Sequence, residues 1–134
     1  MAGYSGKPLA KKLGIKPNVT ILLENMPSAV RAELEPALAK TKITQRPGAE
    51  IDLILGFATS KAALKADFLR WRQCLSKTGS LWVSWPKKTS AIETDLSGDV
   101  VREVGLAASL VDVKVCAIDE QWSGLKFVFR RADR

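Results

Sequence analysis

Apolar residues follow two rhythms along this chain. Unbroken apolar runs occur at residues 19–24 ("VTILLE"), 51–58 ("IDLILGFA") and 80–86 ("SLWVSWP"). Runs of that length with no polar alternation predict strands covered on both faces, as in a parallel sheet. A helical rhythm lies between them. Leu64, Phe68, Trp71 and Leu75 recur at spacings of four, three and four, which predicts a helix opened by Ser60, running to about Lys77 and stopped by Gly79. A second helix is expected over 28–35, capped by Ser28 with Val30 and Leu34 on one face, and ended or kinked at Pro36. A third is expected from Ser97 to about Leu110, with Val101, Val104, Gly105 and Ala108 inward. A short one covers 7–14 ("KPLAKKLG"), with Pro8 in its first turn and Gly14 as its stop. Weaker strand signals sit at 41–45 ("TKITQ"), 111–118 ("VDVKVCAI") and 125–130 ("LKFVFR").

Strands separated by helix-length segments predict an α/β domain, a mostly parallel sheet with helices on both faces. The last two strands are different. Only "DEQWSG", residues 119–124, joins them. A parallel crossover needs a dozen residues or more, so the final strand should run antiparallel to its predecessor. No linker, repeat or low-complexity stretch interrupts the pattern, and residues 1–134 are expected to form one domain.

Composition narrows the chemistry. The chain has no histidine, which removes Ser-His-Asp and Cys-His nucleophiles and histidine metal sites. Its two cysteines, Cys74 and Cys116, lie far apart without a CxxC spacing, the pattern of buried reduced thiols. No apolar run approaches the ~20 residues of a membrane span. The first residues, "MAGYSGKPLAKKLG", lack a secretory apolar stretch, so the expected location is cytoplasmic. The net charge of +7 favours anionic partners. Its lysines and arginines are spread in small groups (Lys7 to Lys16, Lys61 to Arg72, Lys87 and Lys88, Arg130 to Arg134), and no nucleic-acid motif accompanies them.

The helix "PLAKKLGIKP", the first strand, the "IDLIL" strand, the "GSLWVSWPK" strand and the antiparallel end together resemble class I methyltransferases, from about Leu9 to Arg130. The resemblance implies a truncated, three-layer, Rossmann-like sheet. In that family the turn after the first strand is glycine-rich and cradles S-adenosylmethionine, and an acid at the end of the second strand holds the ribose. Here the turn is "ENMPSA", and Gln45 and Arg46 end the weak strand. Met26 and Pro27 are expected to crowd the cofactor volume, so the expected cofactor is none, S-adenosylmethionine included. The strings "GYSGKPLAKKLGIKP", "WPKK", "TDLSGDVVREVGL" and "VDVKVCAIDEQWSGLKFV" are also similar to a bacterial family of short proteins known only as a domain of unknown function. That likeness implies the same truncated fold and no activity.

In an open parallel sheet, ligands bind beyond the carboxyl ends of the strands. The residues delivered there are Glu24, Asn25, Met26, Thr59, Ser60, Trp85, Pro86, Lys87, Lys88, Asp119, Glu120 and Trp122. Trp85 offers either a stacking face or a core side chain. Lys87 and Lys88 offer either an anion clamp or solvated charge. Ser60 opens a helix, where amides favour negative charge. Asp119 and Trp122 either line the same edge or form a hairpin turn. The candidate ligand set is Asn25, Ser60, Trp85, Lys87, Lys88, Asp119 and Trp122, with no catalytic or metal residue assigned. Thr94, Asp95 and Ser97 are expected to cap the following helix. The leading functional expectation is a non-catalytic, methyltransferase-like binding or regulatory module. The alternatives are a basic nucleic-acid-binding protein and a small enzyme acting on an anionic metabolite. The partners expected are an anionic ligand or a protein, with nucleic acid unsupported by a motif, no membrane, and a homodimer open through an edge strand.

Overall fold

The structure, a computed structural model, describes residues 8–45, 48 and 50–134. Lys7 and Arg46, both named above, lie outside the described residues. The elements in chain order are α1 (Leu9–Leu13), β1 (Thr20–Glu24), α2 (Ser28–Leu38), β2 (Lys42–Thr44), β3 (Ile51–Phe57), α3 (Lys61–Cys74), β4 (Leu75–Pro86), α4 (Gly98–Ala107), β5 (Leu110–Ala117) and β6 (Trp122–Phe129), followed by a short 3-10 turn, Arg131–Asp133. All strands join one sheet in the order β2-β1-β3-β4-β6-β5. β2, β1, β3 and β4 run parallel, and β6 is antiparallel to both β4 and β5. The chain steps outward from β1 to β2, then returns past β1 to β3. The strand order therefore reverses at β1, and a crevice opens beyond the carboxyl ends of β1 and β3.

Helices cover both faces, because alternate strand residues point to opposite sides. On one face α1 and α2 bury Leu9, Leu13, Val30, Leu34 and Leu38 against Leu53, Leu55, Phe57 and Trp82. The indole N–H of Trp82 donates to the Leu13 carbonyl at 3.0 Å. Gly14, left-handed at φ 80°, ends α1 there. On the other face α3 and α4 bury Leu64, Phe68, Trp71, Val101 and Val104 against Ile54, Leu81, Val83 and Phe127. Two strand–helix contacts on this face leave no room for a side chain. A Cβ on Gly56 would sit 2.5 Å from Trp71 Cη2, and one on Gly105 would collide with the Phe127 ring.

Three boundaries move from their expected places. α2 runs on through Pro36 to Leu38, because Leu38 is buried on the same stripe as Val30 and Leu34. α3 stops at Cys74, and β4 begins at Leu75, ahead of the expected Ser80. Ile51 pairs with Leu75 and Leu53 with Ser80, so β4 carries extra residues at this point. Gly79 fits there because its Cβ position lies 2.9 Å from the backbone oxygens of Ile51 and Asp52. β6 begins at Trp122, because Pro86 to Leu81 of β4 pair along its whole length to Phe127.

Gly105→Ala tests the α4 contact. Overpacking against Phe127 should destabilise the protein by ~1–3 kcal/mol. Urea unfolding should show a lower midpoint at an unchanged slope.

Candidate functional site

The crevice at the strand reversal is lined by Asn25, Phe57, Ala58, Thr59, Ala63, Asp67 and Trp122, and encloses about 150 Å³. Asn25 makes the turn out of β1 in the left-handed region, at φ 59°. Asparagine is one of the few residues other than glycine that adopts this conformation readily. Its side-chain amide donates to the Phe57 carbonyl at 3.2 Å, bridging the ends of β1 and β3. Phe57 and Trp122 meet edge to face, with ring centroids 5.1 Å apart, and form the apolar wall.

Next to this crevice, Glu24 at the end of β1 accepts from the Trp71 indole at 3.1 Å and from Arg70 Nη2 at 2.7 Å. Arg70 also contacts Asp67 at 3.0 Å. The hydrogen bond to Glu24 is the main reason the Arg70 guanidinium is held above its ordinary range, against partial desolvation. Both carboxylates at this edge are thus engaged by one arginine.

The other candidate residues hold the surrounding loops. Trp85 is buried at 8% exposure in the α3/α4 core, below the start of α4, and presents no free stacking face. Lys87 Nζ donates to the Asp119 carbonyl at 2.6 Å, and the Lys87 amide donates to the Gln121 carbonyl at 2.8 Å. The Asp119 carboxylate accepts from the amides of Gln121 and Trp122 at 2.8 and 2.9 Å, an Asx turn that aims Trp122 into the crevice. Lys88 is exposed and borders a separate open cleft of about 500 Å³, with Ser90, Glu93, Thr94 and Asp95. Ser60 caps α3 by accepting from the Ala63 amide at 3.2 Å. The structure therefore brings Asn25 and Trp122 together on one crevice, joins Asp119 and Lys87 behind it, and sends Trp85 into the core.

Asp67, Ala63 and Phe57 were missed as lining residues. Asp67 sits on the α3 turn that passes beneath the end of β1, a proximity created by the crossover and invisible in local spacing. The capping expectation divides: Ser97 caps α4 by accepting from the Val100 amide at 3.3 Å. Asp95 instead accepts from the Lys61 amide at 2.7 Å, capping α3, and the Thr94 hydroxyl donates to the Thr59 carbonyl at 2.6 Å. Among the described residues no group of acids and cysteines is placed to hold a metal, and no helix is long and apolar enough to cross a membrane.

No family model and no curated protein matches this chain. Its fold does match solved structures. A SAM-dependent methyltransferase from Aquifex aeolicus superposes with a TM-score of 0.66 at 13% identity, over 89% of this chain and 86% of that one. Magnesium protoporphyrin IX methyltransferase from Synechocystis PCC 6803 with bound SAH gives 0.59 at 8% identity, over 91% and 78%. The fibrillarin pre-rRNA processing protein of Methanococcus jannaschii gives 0.56 at 12% identity, over 90% and 73%. At these identities the likeness establishes the fold: a Rossmann-like, methyltransferase-type α/β domain.

These neighbours correct one expectation. The sequence pattern suggested no cofactor and set S-adenosylmethionine aside because the first turn lacks glycine. Chains of this fold carry SAH and SAM in their structures, so the fold itself is one on which the adenosyl compound binds. Two of the physical grounds for excluding it also fail. Asn25 adopts the left-handed turn without glycine. Met26 does not crowd the crevice, but turns under α2 against Val30, Leu34 and Trp82.

The geometry of the turn can be tested directly. Asn25→Gly should keep the turn and cost about 1 kcal/mol, the lost bond to the Phe57 carbonyl, whereas Asn25→Val should cost roughly 1–2 kcal/mol more, read from denaturant midpoints. The thiols can be tested by pH. Burial pushes those of Cys74 and Cys116 up from their ordinary range. The unfolded thiols lose their protons first, so stability is full below about pH 8.5 and falls as pH rises through and beyond that value. Replacing both cysteines by alanine should flatten that alkaline decline.

Proposed function

We propose that this chain is a methyltransferase-like binding module, which holds an adenosyl compound of the SAM and SAH class at the carboxyl edge of β1 and β3 and does not transfer its methyl group. Asn25 and Thr59 offer the polar contacts and the Phe57–Trp122 pair an apolar wall. When bound, S-adenosylmethionine supplies an electrophilic methyl group. The observation that carries the non-catalytic reading is the size and state of the crevice. Its volume of about 150 Å³ is well under the ~300 Å³ at which sites begin to enclose a small molecule. One end of a ligand fits within it. The carboxylates that border it are already engaged by Arg70, and the two thiols are buried and held protonated.

Calorimetry and thermal unfolding with SAM and SAH test the reading. Either compound at about a hundred times its dissociation constant should stabilise the protein by ~2.7 kcal/mol, a rise of several degrees. Asn25→Gly should weaken binding about fivefold, the effect of one hydrogen bond of ~1 kcal/mol, with the fold intact. No methylated product should form with labelled SAM and cell extract. Unfolding temperatures unmoved by both compounds would overturn the binding, and methyl transfer by the pure protein would overturn the non-catalytic part.

A further inference from the structure

We propose that the opposite edge of the sheet, at the amino ends of its parallel strands, docks the phosphodiester backbone of duplex nucleic acid. The chain's arginines divide into two sets. Arg31, Arg70 and Arg102 each pair with acids on or beside their own helices. Arg72, Arg130 and Arg131, with Lys77, form no ion pair among the described residues. Two of the four face the ring of Phe129, and the other two follow it in the chain. Lys77 Nζ lies 4.4 Å from the centre of its ring and Arg72 Cζ lies 5.1 Å from it. Arg130 and Arg131 follow it in the chain, and Arg134 Nε folds back onto the Phe129 carbonyl at 2.9 Å.

Local structure builds this cluster. The extra residues at the start of β4 leave 76–79 without partners on β3, and Lys77 projects from them, exposed. The same edge holds two buried polar atoms with no hydrogen-bond partner, Arg72 Nε and Ser76 Oγ. Folded proteins rarely leave such atoms unsatisfied. The Arg72 guanidinium is positioned by stacking on Phe129, and no acid neutralises it. Gathering like charges that form no ion pair among the described residues opposes folding through mutual repulsion, which a polyanion relieves.

The chemistry favours phosphate over bases. Phe129 is 2% exposed, so its ring gives bases no stacking platform. Guanidinium forks match phosphate oxygens in a way an ammonium does not. The charge is also directional. The carboxyl edge and its loops carry Glu93, Asp95, Asp119 and Glu120 alongside Lys87 and Lys88, whereas after Phe129 the chain carries Arg130, Arg131 and Arg134 with one acid, Asp133. A duplex docked there leaves the Asn25 crevice open.

Fluorescence anisotropy with a labelled duplex of about 20 base pairs, at several salt concentrations, tests this. Arg130→Glu/Arg131→Glu should weaken binding at least tenfold and reduce the salt slope by roughly two, one for each phosphate no longer neutralised. Lys77→Glu should weaken it severalfold. Lys65→Glu/Lys88→Glu makes the same change in net charge away from this edge, and should weaken binding less than threefold. Equal losses in the two double variants, with unfolding temperatures like the parent's, would overturn the proposal. So would the absence of duplex binding at low salt, or competition by polyglutamate as strong as by unlabelled duplex, which would make the surface one for acidic protein.

Discussion

Trp71 is the side chain on which the arrangement of this domain turns. Its ring lies flat on β3 where Gly56 leaves the space, and its indole N–H reaches Glu24 at the end of β1. One residue of α3 thereby spans the two strands between which the sheet reverses its order. A side chain at position 56 would push the helix outward and break the indole's bond to Glu24. The Glu24–Arg70–Asp67 ion pairs sit on the same helix turn and add direction. Exposed ion pairs contribute little to stability. Their effect here is to fix where the first turn of the crevice sits and to engage the acids nearest to it.

That constraint explains how the fold keeps its ligand edge with an atypical first turn. A glycine-rich loop brings backbone close to a ligand by flexibility. In this chain the turn is fixed instead, by Asn25 in the left-handed region with its amide on the Phe57 carbonyl, and by Trp122 aimed inward from the Asp119 turn. The result is a small, rigid notch with an aromatic wall.

The two edges of the sheet differ in charge and in construction. The carboxyl edge mixes acids with lysines that are engaged by loop carbonyls, as Lys87 is by Asp119. The amino edge presents Arg72 and Lys77 over an aromatic ring, with no ion pair to either among the described residues. The crevice and the Phe129 cluster lie at opposite ends of the strands, so what occupies one leaves the other open. Nothing in the composition distinguished the edges, because lysines and arginines are scattered through the sequence and meet only when β4 and β6 lie side by side.

The sequence by itself determined the class of the fold. Apolar runs long enough for strands buried on both faces, the helical stripe of Leu64, Phe68 and Trp71, and the six-residue connection "DEQWSG" required a parallel sheet with an antiparallel end. These are local signals, set by side-chain period and by the reach of the chain. The tertiary structure decided everything that depends on distant residues meeting. It continued α2 through Pro36, where burial of Leu38 outweighed the local breaker. It moved Asp95 from its own helix to cap α3, buried Trp85, and turned Met26 away from the crevice. It joined Asn25, Asp67 and Trp122 in one notch. Sequence pattern reports which face of an element is apolar. Which polar groups end up opposite one another depends on the crossovers, and those exist only once the sheet has closed.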